Sequence, residues 1–177
     1  MTDPEAINAQ RYQWRTELLQ DPNLSSRDAH AFLVELGRAR YLPARPVIEQ
    51  LLTNPDSIIR EKALIVLAGY FDLPDYWETA RQFMWDDPDP SCRGIGIDML
   101  GFLKRSTNDA RTLAELARLV RNPVEDAALR GRAYKKMLQV RHLDRPQQWD
   151  LVGKGIDEIP DVDWAWGDQC IQNAPAV

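Results

Sequence analysis

Cysteine and histidine are scarce in this chain of 177 residues, and each scarcity removes a class of chemistry. The two cysteines, Cys92 and Cys170, stand far apart with no Cys-x-x-Cys spacing, which excludes a disulfide framework and a zinc site. Both read as buried free thiols in a reducing cytoplasm. The two histidines, His30 and His142, fall in different parts of the chain, so neither a His-x-x-x-His metal pair nor a nucleophile beside a histidine can be built. Glycine-rich phosphate loops are missing too: Gly94-Ile95-Gly96 sits inside a helical pattern, where small residues permit close packing. No run approaches about 18 apolar residues, and Met1 to Gln10 is acidic and polar, unlike a signal peptide. These absences predict a cytoplasmic protein without membrane contact, and no catalytic residue, cofactor or metal ligand is assigned.

Strand signals are also nearly absent, with no alternating β-branched run and no Asn-Gly or Asp-Gly turn. What is present is a repeat. Asp21-Pro22, Asn54-Pro55, Asp87-Pro88 and Asn122-Pro123 place prolines 33, 33 and 35 positions apart. Each is followed by an arginine: Arg27, Arg60, Arg93 and Arg130. Three of the four have an aspartate four residues earlier, Asp56, Asp89 and Asp126, and Asn23 takes that place in the first unit. Counting from the arginine, His30, Ala63, Gly96 and Ala133 follow at +3, and Val34, Leu67, Leu100 and Met137 at +7, which is one face of a helix. A second amphipathic segment precedes each Asx-Pro: Ala6 to Leu19, Pro46 to Leu52, Tyr76 to Trp85 and Thr112 to Val120. Each unit is therefore a helical hairpin broken at proline.

One hairpin cannot bury its own apolar face, so the expected fold is all-α, an α-α superhelix of four to five stacked hairpins. The repeats run over about 5–40, 41–73, 74–106 and 107–143, all in one domain spanning 1–177. Residues 144–177 read as a degenerate cap, with a helix from about Pro146 to Asp157 and then Asp163 to Asp168, too short and glycine-broken for a full helix. The pattern Pro55, Asp56, Ile59, Arg60, Ala63, Leu67 resembles the second-helix signature of HEAT-like repeats in their shorter bacterial form. That resemblance implies an armadillo-type solenoid. It implies no single activity, because the family includes scaffolds, immunity proteins, chromophore-lyase subunits and base-excision glycosylases.

Charge is unevenly spread. Residues 1–103 carry 10 basic and 16 acidic side chains, net −6, residues 104–145 carry 11 and 5, net +6, and residues 146–177 carry 1 and 6, net −5. The basic block, with Arg118, Arg121, Arg130, Arg132, Lys135, Lys136 and Arg141, is either a solvated face neutralised by the acidic tail or an anion site for an acidic protein or a nucleic-acid backbone. Of the clustered carboxylates Asp86, Asp87 and Asp89, the last two read as helix-start anions. Of the six tryptophans, Trp14, Trp77, Trp85 and Trp149 are expected in the core between hairpins.

These features favour a non-enzymatic scaffold, adaptor, inhibitor or immunity-type module that binds a protein in the groove formed by the second helices, through Glu61, Lys62, Arg132, Lys135 and Lys136. The alternative is nucleic-acid binding or base excision through the fourth hairpin; the third is a chromophore-lyase subunit. The repeated residues Arg27, Asp56, Arg60, Asp89, Arg93, Asp126 and Arg130 are expected to form a structural ladder, each arginine reaching an aspartate or a carbonyl at the turn of its own or the adjacent hairpin.

Overall fold

The computed structural model describes residues 4–142 and 153–175, and among them every regular element is helical. The chain divides into two compact units, Met1–Tyr76 and Trp77–Val177.

The first unit holds α1 (Pro4–Leu18), α2 (Ser26–Arg38), α3 (Arg45–Gln50) and α4 (Ser57–Leu64). Short 3-10 turns at Leu42–Ala44, Leu51–Thr53 and Pro74–Tyr76 flank them. α4 runs on into a wider π-helical segment, Ile65–Tyr70. That segment and α4 pack on α2. Leu33, Leu36, Ile48, Leu64 and Leu67 are fully buried there. Gly37 makes the approach possible, since a Cβ at this position would lie 2.8 Å from the Tyr70 ring.

The second unit holds α5 (Trp77–Asp86), α6 (Pro90–Leu103), α7 (Ala110–Arg121), α8 (Ala127–Val140) and α9 (Trp164–Gln172). α5 pairs with α6 and α7 with α8; α6 then packs on α8, and α9 on α7. Gly96 lets α6 close on α5, because its missing Cβ would stand 2.5 Å from the Met84 amide nitrogen.

The Asx-Pro breaks have a local cause. In all four, the Asx side chain accepts the main-chain N–H two residues on, closing an Asx turn: Asp21 from Asn23 at 2.9 Å, Asn54 from Asp56 at 2.9 Å, Asp87 from Asp89 at 2.9 Å and Asn122 from Val124 at 3.3 Å. The second helix then starts on a capping side chain. Ser25 accepts from Asp28 N–H, Asp56 from Ile58, Asp89 from Ser91 and Cys92, and Asp126 from Ala128 and Leu129. Each such cap contributes about 1 kcal/mol to its helix. Asp89 thus serves as a helix-start anion, with Asp87 as its turn partner.

The cap, not the proline, sets the register. Eleven residues after Ser25, Asp56, Asp89 and Asp126 stand Leu36, Leu67, Leu100 and Met137, all with no exposure. Eight residues after them stand Leu33, Leu64, Ile97 and Tyr134, all buried. The first and fourth hairpins both have two more residues between proline and cap than the other two; in the fourth, Arg130 still follows the cap by four, whereas in the first that place is Ala29 and Arg27 lies outside the arginine register.

Three further expectations are corrected. Asp163 caps a full helix, accepting from Trp166 N–H at 2.9 Å, and Gly167 is carried within it. Trp14 is 54% exposed rather than core, because its terminal helix α1 is covered on one side only; its ring meets Phe32 at 6.4 Å. Of the helix expected over Pro146 to Asp157, the part up to residue 152 and Trp149 lie outside the described residues. The remainder is a left-handed Gly153, φ 76°, followed by the 3-10 turn Ile156–Glu158. Among the described residues, no helix is long and apolar enough to cross a membrane.

Candidate binding site on the face of α6 and α8

The arginines that follow the caps are occupied at the hairpin turns. Arg60 donates to the Asn54 and Pro55 carbonyls at 2.9 and 3.1 Å, and Arg130 to the Val120 carbonyl at 2.9 Å. Arg93 donates to the Met84 carbonyl at 3.0 Å and forks onto the Glu125 carboxylate in the next hairpin. Their aspartates cap the helices. Asp56 is held below its ordinary pKa by the Ser26 hydroxyl on α2 and then by the Ile58 amide. Arg27 is exposed, as its displaced position requires.

Between α5 and α7 the contacts also recur one repeat apart. Trp77 Nε1 donates to Thr112 Oγ1 at 2.8 Å in the interior, and Trp85 Nε1 donates to Glu115 at 2.8 Å. Glu115, only 6% exposed, also takes Arg81 at 3.1 Å and Arg118 at 2.5 Å. A buried carboxylate persists when it is paired and hydrogen-bonded, and Glu115 is served by three donors. Much of the basic block is consumed in the same way. Arg121 forks onto Asp168 of the acidic tail, its Nε at 2.6 Å, and lies 5.0 Å over the Trp164 ring. Arg141 lies 4.6 Å over Trp166. The two tail tryptophans thus face different partners.

A different arrangement occurs on the opposite pair of helices. Arg132, Lys135 and Lys136 of α8 surround Asp98 of α6. Arg132 Nε donates to Asp98 Oδ1 at 3.0 Å and its Nη2 to Oδ2, while Lys136 Nζ stands 3.2 Å from Oδ1. Lys136 also donates to Gln139 at 3.2 Å. The reason these long chains can lie across α6 is written in its glycines. A Cβ at Gly94 would strike the Arg132 guanidinium, and one at Gly101 would sit 2.7 Å from Lys136 Cδ. Seven residues apart, the two glycines lie on one helix face and form a shallow track. Gly131 of α8 does the same for the main chain at Lys154 and Gly155.

The result is a cavity of about 360 Å³ lined by Asp98, Ala128, Arg132, Lys135, Lys136 and Lys154. Burial alone would raise the Asp98 carboxyl, but the Arg132 hydrogen bond, the Lys136 charge and the Arg132 charge outweigh it and hold Asp98 below 3.8. Lys135 moves the other way for a base. Burial and then the Lys136 charge hold its amine below 10.5, with Arg132 adding to the effect and Asp98 opposing it. Among the described residues, neither Lys135 nor Lys154 has an ion pair. Such a site offers charge-assisted donors to an anion.

Three of the five residues expected to bind a partner, Arg132, Lys135 and Lys136, therefore share one cavity. Glu61 and Lys62, both half-buried, belong to α4 of the first unit, while the cavity is built from α6, α8 and the segment at 153–154. Asp98, Lys154 and the glycine track are its other components. Their sequence signal is a single acid in a helix whose other charge is Arg93, flanked by glycines at −4 and +3. His30 is half-buried beside Tyr12 and Glu35 in a wide groove of about 630 Å³ between α1 and α2. Comparison with protein-family models, curated proteins and solved structures finds no match to this chain.

Proposed function

We propose that the chain is a HEAT-like α-solenoid acting as a non-enzymatic protein-binding module, with an acidic protein partner seated on the face of α6 and α8. The observation that carries this reading is the cavity around Asp98, where four cationic side chains surround a single carboxylate. Helical hairpins hold such a surface rigid, so little ordering is lost on binding. The shared cap register of the four hairpins supports the solenoid. The pairing of Arg118 with Glu115 and of Arg121 with Asp168 disfavours the nucleic-acid alternative, since tracking a phosphate backbone needs a continuous row of available cations.

Photo-crosslinking tests the placement. A benzophenone side chain in place of Ala128, which is exposed at the cavity, is expected to form a covalent adduct with the partner. The same group in place of Gln82, exposed on α5, is expected to form none. Equal labelling from both positions would overturn the assignment of the face.

A further inference from the structure

We infer that the cavity between α6 and α8 accepts a phosphate monoester, carried as a phosphorylated side chain on the partner protein, with Lys135 and Lys154 as its counter-charges. The inference rests on the protein-binding reading above and specifies its chemistry.

The charge balance selects the ligand. Asp98 already satisfies the Arg132 fork and meets Lys136. Two ammonium groups on the cavity wall, Lys135 and Lys154, are left without an ion pair among the described residues. A carboxylate from a partner's Asp or Glu carries one negative charge and compensates one of them. A phosphate monoester carries about 1.5 to 2 at neutral pH and presents three acceptor oxygens, enough for both ammonium groups. A phosphodiester carries one charge per phosphate and gains affinity only by engaging several in a row. Here the cations converge on one cavity, while neighbouring Arg118, Arg121 and Arg141 are held by Glu115, Asp168 and Trp166.

The geometry is also prearranged. Gly94 seats the Arg132 guanidinium, Gly101 seats the Lys136 stem and Asp98 holds both heads, so the wall beside Lys135 and Lys154 is already in place for an incoming phosphate. Burial first, and then the Lys136 charge, hold the Lys135 amine low, and a bound anion would offset both.

The test is a fluorescence titration of the full chain with a short Ala-Gly peptide carrying one phosphoserine. The same peptide with serine, and with glutamate, at that position serves for comparison, and oligothymidylate serves as competitor. The phosphopeptide is expected to bind about tenfold or more tighter than the glutamate peptide, the serine peptide to show no saturable binding, and oligothymidylate not to displace it. Lys135→Met and Lys154→Met, which keep an apolar stem, are each expected to weaken phosphopeptide binding about tenfold, the loss of one charge-assisted contact. Lys135→Arg is expected to retain it. Equal affinity for the phosphoserine and glutamate peptides, displacement by oligothymidylate, or undiminished binding by both methionine variants with unchanged helical circular dichroism would each overturn the assignment. Failure of phosphopeptide binding with the Ala128 adduct intact refutes the phosphate assignment alone. Phosphopeptide binding with no Ala128 adduct refutes the protein-binding reading alone.

Discussion

Substituting Gly96 by alanine tests whether α5 and α6 are as close as the register requires. The new Cβ would lie 2.5 Å from the Met84 nitrogen, 2.6 Å from the Ala80 carbonyl oxygen and 3.0 Å from Met84 Cα. All three are main-chain atoms of one helix, so no side chain can rotate away and the helices must separate. Overpacking of a core costs about 1–3 kcal/mol, and a main-chain clash falls at the upper end. Alanine returns about 1 kcal/mol in helix propensity. The net loss is then about 1–2 kcal/mol, or about 2–8 °C in Tm for a chain of this size. Gly94→Ala is the internal control: it gains the same propensity but meets only the flexible end of Arg132. Its Tm is expected to stay within about 3 °C of the parent, a change below about 1 kcal/mol. Thermal melts followed by circular dichroism read both. If Gly96→Ala melts at or above the parent, or if the two variants lose equally, the close approach of α5 and α6 is refuted.

Three other outcomes follow from single contacts. Thr112→Val keeps the shape but leaves the buried Trp77 N–H without its acceptor and also removes the hydroxyl's 2.6 Å bond to Asp109, so urea unfolding is expected to show a loss of about 1–3 kcal/mol, of which only the Trp77 share disappears when Trp77 is already phenylalanine. Because the folded-state Asp98 carboxyl titrates below 3.8, its contribution is complete above that value and vanishes as pH falls through the lower folded value. Asp98→Asn is therefore expected to flatten the acid limb of the stability profile below about pH 4, and an unchanged limb would count against the Arg132 and Lys136 pairing. Burial and then the Glu49 hydrogen bond push the Tyr76 phenol up to about 12, so phenolate absorbance is expected to lose its latest-titrating component in Tyr76→Phe.

Helices, their breaks and the repeat were legible because they follow from local chemistry. Proline removes a donor, the Asx side chain closes the turn, and the apolar spacing faces one side, all within about ten residues. The first hairpin shows the limit of that reading. Aligned on proline, Arg27 falls level with Arg60; aligned on Ser25, which the helix obeys, Ala29 does. The fourth hairpin carries the same two extra residues, but there Asp126 and Arg130 shift together and keep the pattern, whereas in the first Ser25 stands for the aspartate and Ala29 for the arginine. The tail helix was misjudged for a related reason: Gly167 signals a break locally, while Asp163 capping and packing on α7 override it. At the candidate site, the basic residues were evident from composition alone. Their sorting was not, because Arg121 meets Asp168 across 47 positions and Arg132 meets Asp98 across 34. Only the fold decides which cations are already spent and which remain to receive a ligand.

The central claim, that the α6 and α8 face binds its partner through this cavity, is tested most directly by the partner affinity of Lys135→Glu set against that of Arg27→Glu. Both reversals change the net charge equally, but Lys135 lines the cavity and Arg27 is exposed in the first unit. The structure predicts a loss of more than about tenfold for Lys135→Glu and parental affinity for Arg27→Glu. Equal losses in the two variants, or none in either, would contradict it.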